Sequence, residues 1–280
     1  MTGFAPEAFI ALALGLALLL RWMFAPRKPR IVAAAPVHWR ARLYARVPHA
    51  QLVPAQARAR YEHCVERFLQ EKRFIGCGGL TVDDDMRIAV AGLACLLILR
   101  PQAAVFPLVQ RILLYPDRFY VPSTEPDEIG LVSDEPVEHL GESWQGDRVI
   151  LSWADVQASL DGDEVNVVVH EFAHQLDDET PETEGAPPMR DYARWSAVMT
   201  REFRRLQRHR RPPVLDPYGA ESPGEFFGVV TEAFFQRGPE LRQHHPELYD
   251  LLRTYYRLDP AAHRLWQVQP QDPAAGPDGR

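Results

Sequence analysis

The stretch from Val165 to Asp178, VNVVVHEFAHQLDD, constrains this chain more than any other, because it holds His170, Glu171 and His174 in the order H-E-x-x-H. On an α-helix, residues four apart lie one turn above each other, so both imidazoles can aim at one small sphere. Glu171 stands about 100° round the helix from His170, near enough to touch a water on that sphere without being a ligand. Imidazole donors suit a borderline-soft cation, and three protein ligands leave a fourth position open for water, so a single zinc ion is expected. Asp161 and Asp163 offer oxygens to cap the helix, and Val165, Val168, Val169, Phe172, Ala173 and Leu176 give it an apolar surface beside the histidines. Valine is a poor helix former, and Val167 to Val169 alone would read as a strand. Burial is expected to override that preference.

The third ligand must come from elsewhere. Ser222-Pro223 opens a helix running on to Gln236, with Pro at its first position, and Glu225 and Glu232 share one face of it. Seven residues separate them by roughly 10 Å along the axis, so one alone can reach the ion. A glutamate among Phe226, Phe227, Val229, Val230 and Phe234 is expensive to bury unless it meets a cation. The physics of the residues does not choose between the two.

The rest of the chain reads as scaffold. Pro54 to Phe74 has helical spacing, with Tyr61, Cys64, Val65, Phe68 and Leu69 on one face and Gly76, Gly78 and Gly79 ending it. Asp83 to Leu99 is a second helix, with Met86, Ile88, Ala89, Leu93, Leu96 and Leu97 as core candidates. Leu108 to Leu114, Arg118 to Val121, Ile129 to Val132 and Val149 to Trp153 are expected strands, with turn residues over Gly141 to Asp147. A sheet leading directly into the metal helix suggests an edge to which an extended peptide adds. Asp191 to His209 is a further helix, and Arg201, Arg204, Arg205, Arg208, Arg210 and Arg211 read as its solvated basic face.

A net charge of −7 gives no electrostatic footprint for nucleic acid. Cys64, Cys77 and Cys95 form no C-x-x-C pair, which fits a reducing compartment. Ala8 to Leu20 is uninterrupted apolar sequence followed by Arg27, Lys28 and Arg30. Residues 4–24 are therefore expected to contact or span a membrane, holding the following domain on the cytoplasmic, inner face. Residues 1–36 are read as this anchor and a Pro-rich linker, 37–267 as the functional domain, and 268–280 as a disordered tail.

HEFAHQLD, followed by DPYGAESPGEFFGVVTEAFF, resembles the zinc peptidase family of Mlc titration factor A, and ERFLQEKRF and GDRVILSW are similar to it as well. The likeness covers about residues 37 to 260. It implies an α+β, zincin-like metallopeptidase, mostly helical with a small sheet before the H-E-x-x-H helix. It further implies His170, His174 and Glu225 as zinc ligands, Glu171 as general base, Tyr218 as a hydroxyl assisting catalysis, and Glu232 as a supporting residue. Asp177 and Asp178 are candidates for orienting a ligand histidine, against plain solvation of the helix end. The activity implied is hydrolysis of peptide bonds, aminopeptidase-like, on a peptide or protein substrate. The competing reading is a non-catalytic zinc module that sequesters a transcription repressor. The apolar N-terminal segment is where the chain departs from a soluble member of that family, and it leaves the catalytic set untouched.

Overall fold

A computed structural model describes residues 32–265 except 102, 118, 123–135, 140, 143–146, 180–183, 188, 190, 209–212 and 264; over 119–122, 136–139 and 141–142 it describes the backbone. The expectations of an anchor over 4–24, a strand over Ile129 to Val132 and a disordered tail lie outside these residues. Among the described residues, no helix is long and apolar enough to cross a membrane.

Helices dominate. Helix α1 (Trp39–Arg46) leads to α2 (Ala55–Glu71), whose buried residues are Tyr61, Cys64, Val65, Phe68 and Leu69, the face its spacing predicts. Within the stretch read as linker, the Val32 and Ala33 amides donate to the Gln70 carbonyl at 2.7 and 3.3 Å. Helix α2 also stops earlier than its pattern suggests, because Lys72 turns extended and Arg73–Gly76 becomes strand β1. Lys72 is buried, and its ammonium donates to the Phe106 and Val109 carbonyls at 2.7 and 2.8 Å. Those two bonds fix the end of α2 against the loop before strand β2 (Arg111–Tyr115).

Helix α3 (Asp84–Cys95) is capped by Asp83, which accepts from the Met86 amide at 2.8 Å, and everything from Ile88 to Cys95 is buried. Strands β3 (Phe119–Pro122) and β4 (Pro136–His139) form a separate antiparallel pair. The main sheet takes β5 (Gly141–Glu142) and β6 (Arg148–Ser152) in the order β1-β2-β6-β5. β1, β2 and β6 run parallel, with Arg73 opposite Arg111 and Arg111 opposite Arg148, and β5 pairs antiparallel to β6. Parallel strands are covered on both faces, and Val149, Ile150 and Leu151 are all buried.

The sheet does not feed straight into the histidine helix. Ser152 ends β6 and caps a further helix, α4 (Trp153–Asp161), by accepting from the Asp155 amide, so the expected strand gives way before Trp153. After α4 come α5 (Val167–Asp177), α6 (Tyr192–Arg208), α7 (Pro223–Gln236), α8 (Gly238–His244) and α9 (Pro246–Tyr256). Phe172 of α5 joins the core by packing on Phe68 and Phe106, with ring centroids 5.5 and 4.6 Å away. Arg201, Arg204, Arg205 and Arg208 are exposed along α6, as a solvated face requires. Arg201 and Arg205 also pair with Glu202, a buried carboxylate that meets His245 Nδ1 at 2.8 Å.

Candidate metal centre

Helix α5 starts at Asn166, not at Asp161 or Asp163. The Asn166 side chain accepts from the Val169 amide at 3.0 Å, while Asp161 closes α4 and Asp163 lies between the helices. Val165 consequently falls outside the helix and is exposed, leaving Val167, Val168 and Val169 to fill the apolar face. Burial of these three overrides their β-branched preference for strand.

Helix α7 begins as its sequence indicates, with Ser222 accepting from the Glu225 amide at 3.1 Å and Pro223 in the first turn. It packs along α5 in the opposite direction. At one end Glu232 of α7 meets Asn166 at the start of α5. At the other, Asp177 accepts from the Gly185 and Ala186 amides, both at 2.7 Å, and Glu184 accepts from the Gly224 amide at 3.3 Å. Gly185 has φ +71°, and a Cβ there would stand 2.6 Å from the Pro223 carbonyl oxygen, so the loop needs glycine to pass that close. Asp177 thus organises the loop that follows α5. Asp178 is exposed and accepts from Gln175 at 3.4 Å.

His170, His174 and Glu225 come together, all partly buried. His170 Nε2 lies 3.0 Å from His174 Nε2 and 3.1 Å from Glu225 Oε2, and His174 Nε2 lies 3.5 Å from that same oxygen. Bonds of about 2.0–2.1 Å in tetrahedral array place donors about 3.3 Å apart, so this triangle has the size of one face of a zinc coordination shell. The two histidines hold the Glu225 carboxyl well below the usual carboxylate range, outweighing its burial. Burial opposes a charge on His170, but Glu232 and Glu225 outweigh it and raise its pKa.

The two glutamates that sequence spacing left undecided divide their work. Glu225 stands at the triangle, whereas Glu232 approaches His170 from behind, its Oε1 2.6 Å from Nδ1. Glu171 is buried, which raises its carboxyl to about 7 against the opposing pull of His170 and His174. Its Oε2 has no hydrogen-bond partner. An orphaned acceptor in a buried position beside three converging donors is what a site for an ion and a water leaves behind.

Tyr218 sits on the short 3-10 turn Pro217–Ala220, half exposed, its ring 6.3 Å from that of His170. Partial burial and the Glu225 carboxylate raise its hydroxyl pKa, so it remains a proton donor.

Gly228 is a site residue that periodicity passes over. A Cβ on it would lie 2.6, 2.8 and 2.9 Å from Cε1, Nδ1 and Nε2 of His170. The signal was a glycine inside an apolar helix, where it costs about 1 kcal/mol against alanine and so calls for a packing reason. Gly228→Ala is expected to keep the fold while displacing the imidazole, weakening metal binding on the order of 10–100-fold. Zinc titration against a competing chelator checks this; unchanged affinity would show that the ring has room to move.

A family model described as Glucose-regulated metallo-peptidase M90 matches residues 24–257. An uncharacterized protein of Synechocystis sp. is 40% identical over 250 residues, covering 85% of this chain and 90% of its own length. Mlc titration factor A of Salmonella arizonae and that of Salmonella gallinarum are each 32% identical over 223 residues, which is 77% of this chain and 89% and 84% of theirs.

Proposed function

Because the chain belongs to the glucose-regulated metallo-peptidase M90 family, we propose that it is a zincin-like, zinc-dependent peptidase acting on peptides or proteins, with aminopeptidase-like preference. The observation that carries this reading is the unpartnered Oε2 of buried Glu171 beside the donor triangle of His170, His174 and Glu225. Two imidazoles and one carboxylate form a donor set suited to zinc, and three protein ligands leave room for water. The chemistry that a bound zinc ion supplies is Lewis acidity, which acidifies water and polarises a carbonyl oxygen.

The chain's own groups do the rest. Glu171 takes the proton of the attacking water and returns it to the leaving amine. Tyr218, kept protonated, donates to the carbonyl oxygen as negative charge develops there. The edge strand β5, packed against α5, offers backbone groups to an extended peptide. The apolar stretch followed by Arg27, Lys28 and Arg30 supports a tether at the inner face of the cell membrane, with residues 37–267 as the catalytic domain in the cytoplasm.

Purified protein is expected to carry one zinc ion per chain and to cleave unblocked peptides. A chelator should abolish cleavage and added zinc should restore it, and peptides with acetylated N-termini should resist if the action is from that end. Cleavage surviving complete metal removal would refute the reading. The alternative, a zinc-containing module that sequesters a transcription repressor, is favoured only by the likeness to proteins named Mlc titration factor A.

A further inference from the structure

Helix α7 is buried and mainly apolar, yet Glu225, Gly228, Glu232 and Gln236 follow one another along a single stripe of it, spaced three or four residues apart. Glu225 stands at the donor triangle and Gly228 makes room for the His170 ring. The remaining two are joined through Asn166, the residue that opens α5.

We propose that Glu232 is a positioning residue for the metal centre: its carboxylate bridges the Nδ1–H of His170 and the backbone N–H of Asn166. In doing so it fixes the imidazole tautomer whose Nε2 lone pair faces His174 and Glu225. The proposal rests on the metallopeptidase reading above.

The directions of the surrounding hydrogen bonds support this assignment. Gln236 Nε2 donates to the Ser159 and Asp163 carbonyls at 3.0 and 2.6 Å, which fixes its Oε1 as an acceptor. That oxygen receives His49 Nε2–H and, at 3.5 Å, Asn166 Nδ2. His49 is fully buried in the short turn Pro48–Leu52 and anchors the far end of the chain of bonds. Asn166 uses its Oδ1 on the Val169 amide and its carbonyl on the His170 amide at 2.9 Å. Its own N–H, one of the orphan donors at a helix start, goes to Glu232 Oε2 at 2.7 Å. The other oxygen, Oε1, is 2.6 Å from His170 Nδ1.

With the proton on Nδ1, two donors converge on one group, and a carboxylate has an acceptor for each. A glutamine of the same shape has one acceptor and one NH₂. Either its NH₂ opposes the Asn166 N–H, or it faces Nδ1 and drives the ring proton to Nε2, where the lone pair is needed. A partner behind a metal-bound histidine sets ring orientation and ligand basicity in this way.

The test compares zinc binding in Glu232→Gln, wild type and a control, Thr231→Val, by titration against a chromophoric chelator alongside thermal melting of the metal-free proteins. Thr231 neighbours Glu232 but bonds to Tyr256 Oη at 2.9 Å within the core, so its variant should melt lower with zinc affinity unchanged. Glu232→Gln should lose zinc affinity on the order of 10–100-fold. Unchanged affinity with a lowered melting point, the behaviour of the control, would overturn the proposal and leave the metallopeptidase reading standing. Failure of wild type to bind zinc would overturn both. Should the Gln variant not fold, proton NMR of zinc-loaded wild type decides: a slowly exchanging, hydrogen-bonded Nδ1–H on His170 is expected, and its absence overturns the proposal.

Discussion

Glu171→Gln is expected to lower peptide cleavage by about 10²–10⁴-fold, the usual contribution of a general base, while leaving zinc content and melting behaviour as in wild type. The substitution keeps the shape of a side chain that is 4% exposed and removes only the ability of Oε2 to accept a proton. Glu171 lies outside the donor triangle, so the ion loses no ligand. Steady-state kinetics beside metal analysis on the same preparation checks both halves. The variant also separates the two functional readings: a module that works by holding a repressor would keep its partner with Gln at this position, whereas a peptidase would lose its effect on its substrate. Cleavage at the wild-type rate would remove Glu171 from the mechanism.

Glu225→Ala is expected to lower zinc affinity by more than the roughly 10–100-fold attached to partners behind the ligands, and cleavage with it. Glu225 is the single carboxylate at the triangle, and both histidines already depress its pKa, the mark of a group that favours its charged form there. Glu232 cannot take its place. Its backbone stands two turns along α7, about 10 Å along the axis, and its carboxylate meets the Nδ1 side of the His170 ring, with both oxygens engaged by His170 and Asn166. Isothermal titration of metal-free protein with zinc measures the loss. Retention of wild-type affinity would mean that another group completes the shell.

The histidine pair was legible because four-residue spacing on a helix is a geometric fact independent of the fold. The same holds for the buried face of α2 and for the start of α7, where Ser222-Pro223 carries its own capping chemistry. The choice between Glu225 and Glu232 was not legible from their positions, since seven residues return both to one face. It depends on where α5 lies against α7, which is a tertiary relation. The caps misled for a local reason: Asp161 and Asp163 are good capping residues, but α4 and its αL glycine Gly162 occupy that ground, so Asn166 caps α5. Strand β1 was hidden behind helical spacing, because the break at Lys72 is set by two carbonyls more than thirty residues downstream. Gly228 could have been found by asking why an apolar helix tolerates a residue that weakens it.

The pairing of α5 with α7 at both ends has a mechanical consequence. With Asn166 tied to Glu232 at one end, and at the other Asp177 tied to the Gly185 amide in a loop whose Glu184 accepts from the Gly224 amide, the two helices cannot scissor apart without breaking bonds at either limit of their overlap. Any breathing that admits or releases a bulky ligand must therefore come from the surrounding segments. His170, His174 and Glu225 would keep their spacing as such a ligand comes and goes.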